Sequence, residues 1–358
     1  MLFHLLYPLS DQWPALNVFR YITSRSAGAV ITALLLSLWL GPAFVATLRR
    51  LSVGQNIREL GPESHLVKAG TPTMGGLLIL LAVAVPTLLW ARLDNAYVWI
   101  ALLVTLGFGT VGFIDDYRKV AQGRNLGLTA RAKLLGQLAV AAAAAVVLLW
   151  LPEFDPILTF PFFKQVELHL GWLYVPFVML VLVGSSNAVN LTDGLDGLAI
   201  GATLVAAATY AVFTYVAGNA IAAGYLQVSF VPGAGEVTVF CAALVGASLG
   251  FLWFNSHPAD MFMGDVGSLA IGGAIGTVAI LCRQEILLVV VGGLFVLEAL
   301  SVIVQVGFFK ATGRRVLKMA PLHHHFELVG WAEPKVIVRF WILAILFALM
   351  SLSTLKLR

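Results

Sequence analysis

The sequence predicts an all-α integral membrane protein, a bundle of about ten transmembrane helices with both termini on the outer side. Three observations carry this expectation. Of 358 residues, 60% are hydrophobic and 11% charged, where soluble domains carry about a quarter charged. The mean hydropathy is +0.93. The apolar residues also gather into ten stretches of the length that crosses a bilayer, about 20 residues for about 30 Å of hydrocarbon. No long polar segment could house a soluble domain, so residues 1–358 read as one polytopic membrane domain. Cys241 and Cys282 lie in apolar surroundings and are too few for a disulfide framework. The first twenty residues lack the basic start and short apolar core of a cleavable signal, so the first span does the targeting.

The elements follow in chain order. The first span covers 23–47. The second, 74–91, is preceded by "KAGTPTMGG", where Thr71 is placed to cap a helix and Pro72 to occupy its first position. The third, 97–114, closes on "GFIDDYRK", and the fourth, 132–151, contains an alanine-rich interior. Residues 157–172 alternate around a proline and predict a small outer hairpin. Spans at 171–189 and 197–218 are joined by "NAVNLTDGLDGLA", and those at 236–254 and 266–282 by "WFNSHPADMFMGDVGS". The ninth, 286–309, holds Glu298, and the tenth covers 336–355. Lysines and arginines favour the cytoplasmic loops. One set of loops holds 15 of the 22, including Arg118, Lys119, Lys133 and Arg314, so that set is assigned to the cytoplasm. Glycine pairs 246/250 and 272/276 have the small-xxx-small spacing of helix packing.

Acidic residues concentrate on the same side. Asp115 and Asp116 end a helix, where the dipole disfavours anions. Their mutual repulsion adds about 3 kcal/mol at ~5 Å and an effective dielectric of about 20. The plain explanation is that Arg118 and Lys119 neutralise them as solvated neighbours. Two further loops argue for more. One brings Asp193 and Asp196 with Asn187 and Asn190, the other Asn255, Asp260 and Asp265, and neither contains a Lys or Arg. N-capping accounts for single aspartates there, but not for carboxylates and amides on three loops. Oxygen donors of this kind suit a hard divalent cation, and magnesium binds through one or two carboxylates plus substrate phosphates. Lys68 and Lys133, each ahead of an inward-to-outward span, are cations for phosphate, although either also fits the ordinary positive-inside pattern. His323, His324 and His325 are consecutive and share no helix face, which argues against a zinc site. They can still donate hydrogen bonds to phosphate or sugar oxygens. Glu298, the one acid deep in a span, is a functional candidate by position, with no partner apparent.

Taken together, "GTPTMGG", "GFIDDYRK", "NAVNLTDGLDGLA", "FLWFNSHPADMFMGDVGSLA" and "MAPLHHHFELVGW" resemble the phospho-N-acetylmuramoyl-pentapeptide transferase family. That family lies within the polyprenyl-phosphate N-acetylhexosamine-1-phosphate transferase superfamily. The resemblance runs in order along the whole chain. It implies a bacterial inner-membrane enzyme, with its active site facing the cytoplasm, that moves phospho-MurNAc-pentapeptide from UDP-MurNAc-pentapeptide to undecaprenyl phosphate. The products would be lipid I and UMP, the cofactor Mg2+ and the assembly a homodimer, with no nucleic-acid partner. By motif, Asp115 and Asp116 match the catalytic pair, Asp265 the metal-binding aspartate, and Phe262 the ring packed on uracil. Lys68, Thr73, Lys133, Asn187, Asn190, Asp193, Gly194, Leu195, Asp196 and Asn255 match the nucleotide and phosphate site, and His323, His324 and His325 a substrate-contacting loop. Asp260 is outside the motif. Two chemistries stay open, direct attack by the lipid phosphate and a covalent aspartyl-phosphate. The competing functions are a sister GlcNAc-1-phosphate transferase and, from another class, a cation-coupled transporter.

Overall fold

The computed structural model describes residues 1–51, 70–122, 127–161 and 163–356. A short α1 (Leu2–Leu6) and two 3-10 turns lead into α2 (Ile22–Arg50), followed by α3 (Gly76–Trp90), α4 (Ala96–Gln122) and α5 (Ala130–Trp150). Strands β1 (Ile157–Phe160) and β2 (Phe163–His169) form an antiparallel hairpin with Ile157 opposite His169, at the place the alternating pattern predicts. Then come α6 (Tyr174–Thr192), α7 (Leu198–Ala217), α8 (Ala220–Leu226), α9 (Ala234–Asn255), α10 (Gly264–Leu281), α11 (Leu288–Val291), α12 (Gly293–Thr312), α13 (Leu322–Leu328) and α14 (Glu333–Ser353). Among the described residues nine helices are long and apolar enough to cross a membrane. The chain is a multi-pass, all-α membrane protein. The tenth expected span is α3, whose 15 residues reach about 22 Å at the helical rise.

The shortening of α3 has a physical cause. Residues 71–75 do not begin a helix at Thr71. They run beside the loop before α10, with Phe262 N–H donating to Pro72 O (2.8 Å), Gly75 N–H to Phe262 O (2.9 Å) and Gly76 N–H to Met263 O (2.9 Å). Met74 takes a positive φ of 71° to make the turn into the helix. The first amides of α3 are thereby engaged by backbone, so the predicted capped helix start at Thr71 and Pro72 is replaced by a backbone clasp. The capping reading of Asp193 and Asp196 changes likewise: Asp193 follows the last residue of α6, and Gly197 stands at the start of α7.

At the centre of the bundle α10 packs on α4 and α6, while α9 packs on α2 and α7. Lipid tails are as apolar as leucine, so helix association in a membrane depends on close van der Waals fit and on small residues. The sequence supplies them. A Cβ built on Gly246 would stand 2.3 Å from Val30 O, one on Gly250 2.3 Å from Ser37 Cβ, and one on Gly76 2.1 Å from Gly267 N. At the end of the bundle remote from the aspartates, Arg25 is 1% exposed and grips Glu236 through two hydrogen bonds of 2.6 and 2.7 Å. Near the same end Glu285 accepts the Tyr174 hydroxyl, and burial pushes its carboxyl up to about 7. The helix α12 is packed only in its first part: Glu298, Ser301 and Gln305 are buried, whereas residues 306–312 are all exposed.

Candidate active site

Asp115 and Asp116, each only 3% exposed, do not end their helix as the sequence suggests: α4 continues to Gln122, nearly two turns past them. Asp115 Oδ1 accepts the Leu128 N–H at 2.6 Å, which closes the connection into α5. Asp116 Oδ2 accepts the Val266 N–H at 3.0 Å, in the first turn of α10. This places Asp265 beside the pair, and carboxylate oxygens of Asp115, Asp116 and Asp265 lie within 4.8 Å of one another. Gly112 permits the approach, since a Cβ there would stand 2.2 Å from Asp265 O. Thr73 belongs to the same spot: a Cβ on Gly264 would meet Asp116 Oδ2 at 2.5 Å and Thr73 Oγ1 at 2.9 Å.

Three clustered carboxylates need positive charge, and two lysines provide it. Lys119 Nζ lies 2.6 Å from Asp115 Oδ2, 3.3 Å from Asp116 Oδ1 and 2.7 Å from Asp265 Oδ2. Lys133, in the first turn of α5 after the Thr129 cap, reaches Asp265 Oδ2 at 3.0 Å. Asn190, in the last turn of α6, donates to Asp265 Oδ1 (2.6 Å) and Ser268 Oγ (2.8 Å). Asp193 stands half-buried one turn further on. Burial, then the neighbouring Asp265, Asp116 and Asp196, push its carboxyl up to about 8. Oxygen donors converging around an ammonium fit a hard divalent cation, and Asp115, Asp116 and Asp265 are the residues that could hold one.

The other predicted residues form the surrounding walls. Asn255 Oδ1 accepts the Gly197 N–H at 3.0 Å and its amide donates to Met261 O at 2.9 Å, tying the 193–197 loop to the 256–263 loop. Leu195, within the 193–197 loop, is buried, and Phe262 is half-buried beside the clasp of residues 71–76. Asp196 Oδ2 accepts from Ala259 N–H at 3.2 Å and lies 3.2 Å from His257 Nδ1, with Glu333 Oε1 accepting the Asp196 N–H. His323, His324 and His325 point to different neighbours, as their spacing predicts: Glu298, Glu327 and the Lys318 N–H. Gly194 lies against the His323 ring.

Asn187 is set apart from the carboxylates, donating to Gln137 Oε1 and Val183 O, both at 2.8 Å. Lys68 lies outside the described residues. Asp260 is exposed beside Arg49 at 3.4 Å. Sequence reasoning missed Lys119, taking it for a solvated neighbour, although its i+4 and i+3 spacing from Asp115 and Asp116 puts all three on one face. It also missed Ser268, one turn after Asp265 and again detectable by spacing. Gln137, Glu333 and the partner of Glu298 depend on contacts between distant segments and left no local signal.

A polytopic helix bundle with carboxylates, lysines and an amide converging at one end of its central helices has the charged groups that a membrane-embedded transferase of anionic substrates uses. Consistent with that class, the Glycosyl transferase family 4 model matches residues 98–283, from α4 to just beyond α10. The phospho-N-acetylmuramoyl-pentapeptide-transferase signature 1 matches residues 68–80. Phospho-N-acetylmuramoyl-pentapeptide-transferases of Citrifermentans bemidjiense and Oleidesulfovibrio alaskensis are each 59% identical to this chain, and that of Nitratidesulfovibrio vulgaris is 60% identical, all over the full length of both sequences. The chain belongs to the phospho-N-acetylmuramoyl-pentapeptide-transferase family.

Proposed function

We propose that this protein transfers phospho-MurNAc-pentapeptide from UDP-MurNAc-pentapeptide to undecaprenyl phosphate, forming lipid I and releasing UMP. The observation that carries this reading is the gathering of Asp115, Asp116 and Asp265 around Lys119 at one end of the bundle, in a chain that is 59% identical to proteins bearing the family name. A lipid phosphate is confined to the bilayer rim and the donor is water-soluble, so a helix-end site lets the two meet. Asp115 is the base that takes the acceptor phosphate's proton, and Asp116, held by the Val266 amide, orients the site. Lys119 and Lys133 carry phosphate charge as the bond to UMP breaks. Asp265 with the pair would hold magnesium, which when bound lowers the diphosphate's charge and stabilises the departing UMP.

The site faces the cytoplasm and residues 1–358 act as a single membrane domain. Incubating purified protein with undecaprenyl phosphate and each sugar nucleotide tests the reading. UMP release from UDP-MurNAc-pentapeptide but not from UDP-GlcNAc is expected, and the reverse preference moves the protein to the sister branch. Release of no UMP from either donor sinks the enzyme reading. A phosphorylated Asp115 or Asp116 trapped in single turnover would replace direct attack by a covalent route.

A further inference from the structure

Glu298 is fully buried in α12, and the chemistry above gives it no role. Both of its oxygens serve another element. Oε2 accepts the Leu322 N–H at 2.7 Å and Oε1 the His323 N–H at 3.2 Å. These are the first two residues of α13, and His323 Nδ1 lies 3.2 Å from the same Oε1. The opening amides of a helix have no partner within it, and Pro321, which precedes α13, offers no side-chain cap. Glu298 therefore caps α13 from a different helix, 24 residues away. The buried His323 ring continues the contact, because a Cβ built on Gly194 would come within 2.2 Å of its Nε2. Glu298, His323 and Gly194 thus join α12, α13 and the loop that carries Asp193 and Asp196.

We propose that Glu298 is a positioning residue: it fixes the histidine helix α13 against the 193–197 loop, so that the two present their side chains to the nucleotide-sugar donor as one wall. What is positioned rests on the transferase reading, whereas the anchoring itself does not. Losing two amide hydrogen bonds to a carboxyl group loosens the start of α13 first, and the carboxylate cluster is touched only through the loop.

The test compares wild type, Glu298→Ala and Glu298→Gln as purified full-length protein, by hydrogen exchange and by UMP-release kinetics. In Glu298→Ala, exchange over residues 320–328 should quicken about tenfold, the scale set by lost hydrogen bonds to such a group, with α9 and α10 unchanged. KM for UDP-MurNAc-pentapeptide should rise by a similar factor and kcat fall less. Glu298→Gln keeps one acceptor oxygen and should lie between on both readouts; it carries the comparison alone if the alanine variant does not fold. Unchanged exchange over 320–328 overturns the proposal, as does faster exchange with unaltered kinetics. A Tm loss with exchange raised throughout the bundle and KM unmoved would mark Glu298 as merely structural and also overturn it. If wild type releases no UMP, the transferase reading falls, and the exchange comparison still decides the anchor.

Discussion

Lys119 is held by three carboxylates at once, and its loss leaves like charges facing one another in a largely buried place. Lys119→Met is expected to lower the Tm of metal-free protein and to enlarge the Tm gain on adding magnesium, because the added cation then supplies the missing charge; a thermal-shift titration reads both. Asp265→Asn removes the oxygen shared by Lys119 and Lys133, and UMP release should fall at least about a hundredfold, as when a preorganised charge partner is deleted, while Tm changes little. At this scale the sequence was legible where residue type restricts chemistry. Paired aspartates in an apolar run point to a site, but a lysine at a cytoplasmic helix end has a ready topological explanation that hides its second role. Glu298 shows the converse: its position marks it as important, yet its partners lie 24 and 25 residues ahead, beyond any helical spacing.

Among the helices, the α3–α10 crossing comes closest at Gly76 and Gly267, two residues after Asp265. A Cβ on Gly76 would stand 2.1 Å from Gly267 N and 2.4 Å from Gly267 Cα, so Gly76→Val has no side chain to displace, only backbone. It should cost about 2 kcal/mol or more by overpacking and reduce turnover along with stability, as denaturation and UMP assays on the same preparation would show. At the opposite end, Glu285 keeps its proton in the folded chain up to about pH 7, whereas a solvated glutamate loses it near 4.3. The folded state binds the extra proton between those values, so stability should fall as pH rises from about 4.5 to 7. Glu285→Gln is expected to flatten that slope in a Tm-versus-pH series. Span positions were readable because hydropathy is a local property of about 20 residues. The start of α3 was not, since the Thr71 to Gly76 stretch is shaped by backbone partners near residue 262, and capping rules see only neighbours.

For the molecule as a whole, the 15-to-7 division of basic residues predicts an orientation with the termini outside. Ser10→Cys should react with an impermeant maleimide on intact cells and Arg314→Cys only after lysis; the opposite pattern would invert the topology. Native Cys241 and Cys282 are both buried, so the background should be low. The arrangement around Asp265 also bears on how the reactants arrive. Among the described residues, Asp115, Asp116 and Asp265 outnumber Lys119 and Lys133 by one formal charge, an excess that disfavours a bare nucleotide diphosphate. A donor escorted by its own counterion docks without that penalty. Starving the assay of free magnesium should therefore first degrade capture of the sugar nucleotide, seen as a slower association rate that monovalent salt partly restores.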